Sequence, residues 1–308
     1  MQRKTSSSAI GGPKKHIPGP TNLNSFVKLM ILHLCRKVLF IDTSVKIGVY
    51  FVGIFLGSII CDLFPLPRSY FSNSKNFINV FFVKLGWGWT LLILSIHIIM
   101  TTFTITCGDW SKVKRHLGRL VVGTFVWYFW TTLFEYIEHQ TGVCSDRDFD
   151  NKKTCYRSGH IWLGFDISGH CFLLVHNLLL ISEEVKVLKN WDKIPELIEQ
   201  DEHDGILHLT EKELSQLQIS YRNLTPFIRV MMVVLTIFTW IWELMLVSTT
   251  LYFHNMIQKV TAVLIAIVNW FLVYQVLYPS KNSSWIPQSP GVGGIRYQKT
   301  FMKRQYTR

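Results

Sequence analysis

The chain has 308 residues, of which 49% are hydrophobic and only 17% charged, whereas soluble proteins carry about 25% charge. With 21 Phe, 11 Trp and 11 Tyr, and apolar residues in long blocks, it is neither a disordered chain, a coiled coil nor an ordinary soluble domain. The reading is an all-α, polytopic membrane helical bundle, with Trp and Tyr gathered at the two interfaces. The net charge of +12 comes from basic residues that flank apolar blocks. They read as topology determinants and anionic-lipid contacts, not as a nucleic-acid surface.

Residues 1–45 are polar and basic, opening with Arg3, Lys4 and a Ser run, and show no signal-peptide pattern near Met1. Within them, Phe26 to Phe40 carries Lys28, Arg36 and Lys37 and predicts a short amphipathic helix on the membrane surface. Six apolar blocks follow, at about 47–64, 77–99, 117–137, 161–181, 227–250 and 257–277, each near the ~20 residues that cross a bilayer. A membrane domain over 46–278 and a basic tail over 279–308 complete the organisation. The long 182–225 connection is acidic and amphipathic in part, which predicts a solvated helix pair, with a partner-docking surface as the alternative.

Lys and Arg concentrate in the N-terminal segment, in 100–119, in 182–225 and in the tail, while the turn between the fifth and sixth blocks has only Lys259. Both termini are therefore expected in the cytosol, although the 138–160 loop, with four basic residues, weakens the asymmetry. That loop holds Cys144 and Cys155, which are able to pair in an oxidising lumen. Cys35, Cys61 and Cys107 are isolated, and no C-x-x-C pair occurs.

Charges inside spanning segments are costly and mark function. Here they are Lys84, Glu135, Asp166, His170 and Glu243, all expected toward the lumenal half, with His254 ending the fifth block on the same side. The sharpest local feature is Gly164-Phe165-Asp166-Ile167-Ser168-Gly169-His170. On a helix, Asp166 and His170 share a face. The carboxylate then favours the protonated imidazole and suits it to general-acid work. Gly169 leaves room for a phosphate; the alternative is a helix-packing glycine beside a histidine bonded to a neighbouring helix. In Tyr252-Phe253-His254-Asn255, His254 is either an interfacial belt residue or a nucleophile at phosphorus. His139, four residues after Glu135, is a further cavity candidate; His97, His160 and His176 are weaker ones. No H-x-x-H or H-x-x-x-H, P-loop or G-x-S-x-G is present, so neither a metal site nor a cofactor is expected.

Five stretches carry a family resemblance. They are Phe64-Pro65-Leu66-Pro67-Arg68-Ser69-Tyr70-Phe71-Ser72-Asn73, Asn79-Val80-Phe81-Phe82-Val83-Lys84, Ile137-Glu138-His139-Gln140-Thr141-Gly142, the Gly164–His170 segment and Tyr252-Phe253-His254-Asn255. In this order the chain resembles the fat storage-inducing transmembrane (FIT) proteins from about residue 60 to 278. The resemblance implies a six-span protein of the endoplasmic reticulum that supports lipid-droplet formation and binds triacylglycerol or diacylglycerol. It also implies a fatty acyl-coenzyme A diphosphatase that yields acyl 4′-phosphopantetheine and adenosine 3′,5′-bisphosphate. The family is similar to lipid phosphate phosphatases, whose Ser-Gly-His supplies the acid and whose later His is the nucleophile. Carried over by motif, Ser168 and Gly169 precede the acid His170, and His254 attacks.

The phosphatase pattern is incomplete here. The basic phosphate clamp is missing, and Gln258 stands where the orienting Asp is expected. Lys84 is the candidate for the charge, and Glu243 or Asp166 for orienting a histidine. A non-catalytic neutral-lipid binder is the rival reading; a transporter is a remote third, because no repeat halves or matching broken helices are visible. One geometric difficulty stands. A fourth span starting at Ile161 puts His170 about 14 Å deep, while His254 stays at the surface.

Overall fold

A computed structural model describes residues 23–64, 66–146, 148–204, 209–280 and 286–295. The Arg3–Lys4 segment and the end of the tail lie outside them.

Helix α1 (Leu23–Leu39) leaves Leu23, Phe26, Leu29, Met30 and Leu34 exposed and buries only Cys35 and Leu39. A helix with that open apolar surface and basic residues in its last turn suits a membrane interface. Asp42 caps α2 (Thr43–Leu63). Then come a π-helical turn (Asn79–Val83), α3 (Gly86–Ile105) and α4 (Trp110–Thr141). A two-stranded hairpin, β1 (Val143–Cys144) against β2 (Trp162–Leu163), encloses α5 (Lys152–Arg157). Helices α6 (Gly169–Glu184), α7 (Ile194–Asp204), α8 (Glu211–Tyr252) and α9 (Met256–Trp270) follow; a π-helical stretch prolongs α9 to Leu277.

Five helices (α2, α3, α4, α8 and α9 with its extension) are long and apolar enough to cross a membrane. The sixth, α6, has 16 residues, about 24 Å at helical rise. It runs through the middle of the bundle with every residue from Cys171 to Glu184 buried. Protein surrounds α6, so its ends do not have to reach the membrane surfaces. At 42 residues, α8 spans about 63 Å, twice a bilayer core, so its first turns stand clear of the membrane. The chain is thus an all-α, multi-pass membrane protein.

Several expected boundaries change. The fourth span starts at Gly169, not Ile161, because Trp162-Leu163 forms a strand and residues 164–168 are non-helical. The second starts at Gly86, so Lys84 precedes its helix. The 182–225 region is not a free helix pair. Val185, Leu188, Trp191 and Ile194 are buried, and Trp191 Nε1 donates to Thr225 Oγ1 at 3.1 Å. Residues 286–295 also pack down: Ile295 is buried, and Arg119 Nη1 donates to the Gln288 carbonyl at 2.9 Å. These contacts lie at the end of the bundle opposite His170, as does the Arg36–Asp192 ion pair of α1.

Cys144 and Cys155 form a disulfide that closes an 11-residue separation, with Trp162 packed beside it. Replacing both with Ser is expected to loosen the hairpin by ~2–3 kcal/mol, mostly through the unfolded loop. Faster proteolytic cleavage confined to residues 143–163 is the measurement.

Candidate active site

Four segments converge at the N-terminal end of α6. The first is the extended run 164–168, pinned on both sides. Phe165 N donates to Thr141 Oγ1 at 2.9 Å and Ser168 N to the Gln258 carbonyl at 3.3 Å. Gly164 is required there: an added Cβ would sit 2.5 Å from the Glu138 carbonyl oxygen. Ser168 is buried and its Oγ accepts from Cys171 N at 3.3 Å. It is the N-cap of α6.

That cap places His170 in the first helical turn, where unpaired N–H groups and the helix dipole favour an anion. A Cβ built on Gly169 would meet no atom within 4 Å. The helix-packing reading of this glycine therefore fails, and there is open space beside His170. The depth problem disappears as well, since the eight residues 161–168 lie outside the helix.

The second segment is the turn between α8 and α9. His254 has φ 56°, a left-handed conformation uncommon for non-glycine residues, though His is among those enriched in it. Such a conformation costs on the order of 1–3 kcal/mol and persists only where its surroundings impose it. Asn255 and Gln258 form a capping box that starts α9 directly after the turn, and Met256 N donates to Asp62 Oδ2 at 3.0 Å. His254 Nδ1 lies 3.5 Å from Asp166 Oδ2, the two side chains being 18% and 53% exposed. Water therefore reaches the pair from the carboxylate side.

Asp166 is thus not the helical partner of His170. It precedes the helix and faces His254, supplying from another element the carboxylate that Gln258 does not. Partial burial raises the Asp166 pKa, His254 lowers it, the Glu138 carboxylate adds to the rise and Lys152 opposes it. Lys152 Nζ also binds Glu138 Oε1 at 2.6 Å, tying α5 to the end of α4.

The third and fourth segments contribute Lys84 and His139. Lys84 is exposed and held by the π turn, its N–H donating to the Asn79 carbonyl at 3.0 Å. His254 and Lys84 lie within electrostatic reach of the half-buried His170. His139 lies tilted against Trp162, with 6.1 Å between ring centres, at the rim and exposed. Glu243 is different: its hydrogen-bond partner among the described residues is Tyr50, whose Oη donates to it at 2.8 Å. Of the weaker histidines, His97 and His176 are buried, and His160 pairs with Asp146 at 3.4 Å in the hairpin. Glu138, Lys152, Asp62 and Lys259 carry no sequence mark of a site, because nothing local distinguishes them from loop or helix-end charges.

The geometry suits attack by an oriented imidazole, with a second imidazole and an ammonium at an anion-favouring helix terminus. If Asp166 sets the orientation of His254, Asp166→Asn should lower kcat on the order of 10²-fold and leave KM nearly unchanged. A raised KM at unchanged kcat would instead mark a substrate contact.

The family model for fat storage-inducing transmembrane protein matches residues 67–274. The Drosophila melanogaster acyl-coenzyme A diphosphatase FITM2 is 38% identical over 291 residues, covering 91% of this chain and 68% of the fly protein. The human and Xenopus laevis proteins of the same name are 36% and 37% identical, each covering 75% of this chain and 81% of the relative. No solved structure matches. The match takes in the π turn, the Gly164–His170 run and the His254 turn alike, and the chain belongs to the fat storage-inducing transmembrane protein family.

Proposed function

We propose that this protein is a fatty acyl-coenzyme A diphosphatase of the endoplasmic reticulum. The observation that carries the reading is the pairing of His254 with Asp166 near the N-terminus of α6, with His254 and Lys84 within electrostatic reach of His170 and open space at Gly169. The curated relatives carry the name of that activity.

In this mechanism the acyl chain lies in the bilayer and the coenzyme diphosphate enters at the histidine end. Asp166 holds the His254 ring, whose nitrogen lone pair attacks one phosphorus of the diphosphate. The P–O bond to the bridging oxygen breaks, and His170 donates a proton to the departing phosphate. The enzyme then carries a phosphoramidate on His254. Water attacks the same phosphorus, His170 takes its proton, and the P–N bond breaks to return free imidazole. The products are acyl 4′-phosphopantetheine and adenosine 3′,5′-bisphosphate, whichever phosphorus is attacked. The helix terminus and Lys84 stabilise the charge on the phosphoryl oxygens.

The site faces the lumen and both termini the cytosol in this proposal. The Cys144–Cys155 disulfide on the histidine side supports that orientation, since disulfides persist in oxidising compartments. Asn223 and Asn282 should then stay unglycosylated, and a glycosidase-sensitive mass shift at either site contradicts the orientation. Triacylglycerol or diacylglycerol and the surrounding reticulum lipids are the remaining partners, through which hydrolysis supports lipid-droplet formation.

The test is purified full-length protein in nanodiscs with oleoyl-coenzyme A, read by mass spectrometry. Equal amounts of the two products are expected. Free coenzyme A with oleate, or no turnover, contradicts the reading. Restoration of droplets in deficient cells by His170→Ala and His254→Ala forms would favour the non-catalytic lipid binder.

A further inference from the structure

The last helical bond of α8 runs from Phe253 N to the Thr249 carbonyl at 3.1 Å. The next carbonyl, that of Thr250, would be completed in a continuing helix by the His254 N–H. In this protein it takes the ammonium of Lys259 instead, at 2.8 Å. Lys259 lies in the first turn of α9 and is only 1% exposed, a rare state for lysine. Asp62 and Cys61 of α2 and Cys171 of α6 face it, and the Asp62 carboxylate also fixes Met256 N. A cation at a helix C-terminus is favourable, and this one occupies the place that would otherwise draw His254 into the helix.

We propose that Lys259, assisted by Asp62, is a positioning residue for the nucleophile: by taking the Thr250 carbonyl it ends α8 one residue early and frees His254 for the left-handed turn toward Asp166. This rests on the proposed role of His254 as nucleophile. Without the ammonium, the His254 N–H recovers the Thr250 carbonyl, the helix lengthens by one residue to Phe253, and the imidazole leaves Asp166.

Lys259→Met should therefore lower kcat on the order of 10²-fold at nearly constant KM, the effect of a small misplacement of a reacting group. Adding Asp166→Asn to Lys259→Met should cost less than about twofold more, because the two residues act through one ring. A merely structural lysine predicts wild-type kcat per folded molecule and an undiminished Asp166→Asn effect, and either result overturns the proposal. Asp62 is exposed, so Asp62→Asn tests the same turn should Lys259→Met not fold. About a tenfold fall in kcat at constant KM supports it, and wild-type kcat overturns it. The wild-type protein separates the two ideas. Failure to form any adduct on His254 removes the nucleophile assignment, whereas a wild-type adduct formed at the same rate by Lys259→Met removes only the positioning role.

Discussion

His254→Ala is expected to abolish hydrolysis of fatty acyl-coenzyme A by folded protein, a fall of ~10³-fold or more. His254 is the site's imidazole with a carboxylate, that of Asp166, at 3.5 Å. His170→Ala should cost about 10²- to 10⁴-fold through loss of proton transfer. If the two imidazoles act on one substrate, the double variant is scarcely worse than His254→Ala alone, as for groups that work as a unit. Both side chains lie in partly open space, so folding should survive. Size-exclusion profiles and melting temperatures near wild type, with turnover gone, are the expected pair of results. Substantial turnover in His254→Ala removes covalent catalysis at this position.

The largest stability effect should come from the other end of α6. Arg119 and Glu184 form a two-pronged ion pair, 2.7 and 2.6 Å, with both side chains 1% exposed. Tyr274 Oη donates to the same carboxylate at 2.9 Å, His97 Nε2 meets the Glu184 carbonyl at 3.3 Å, and His116 contacts Arg119. The cluster ties α3, α4, α6, the α9 extension and residues 286–295 together. Arg119→Leu leaves a carboxylate buried and unneutralised, a loss of about 3–5 kcal/mol in proteins whose whole stability is about 5–15 kcal/mol. The double change Arg119→Leu with Glu184→Leu should recover much of that loss, because no buried charge remains. Melting of purified protein in nanodiscs checks both. Hydrolysis per folded molecule should not change, since the cluster is roughly 21 Å along α6 from His170. A melting temperature for Arg119→Leu within a degree or two of wild type would contradict this account of the cluster.

The bundle itself was readable because spans are long apolar runs, a signal that depends on neither register nor partners. Their ends were less readable. Ile161-Trp162-Leu163 is as apolar as a helix start, and hydropathy does not distinguish it from a strand closing a hairpin. The cue that was present is Ser168, a capping residue directly before the helix. That single boundary turned Asp166 from a helical neighbour of His170 into the partner of His254. The histidines were visible as polar side chains in apolar surroundings. Arg119, Glu184 and Lys259 were not, because each stands near a span end, where sequence alone assigns it to a loop. Their burial and pairing are tertiary facts, and so is the turn that Lys259 secures.

The central claim is a covalent bond between His254 and one phosphorus of the coenzyme. Rapid acid-free quenching of wild-type protein with oleoyl-coenzyme A, followed by peptide mass spectrometry, tests it most directly. A transient acid-labile adduct on His254 is expected, carrying the mass of either the acyl phosphopantetheinyl or the bisphosphoadenosine half, and absent from His254→Ala. An adduct on another residue, or turnover without one and with inversion at phosphorus, would contradict it.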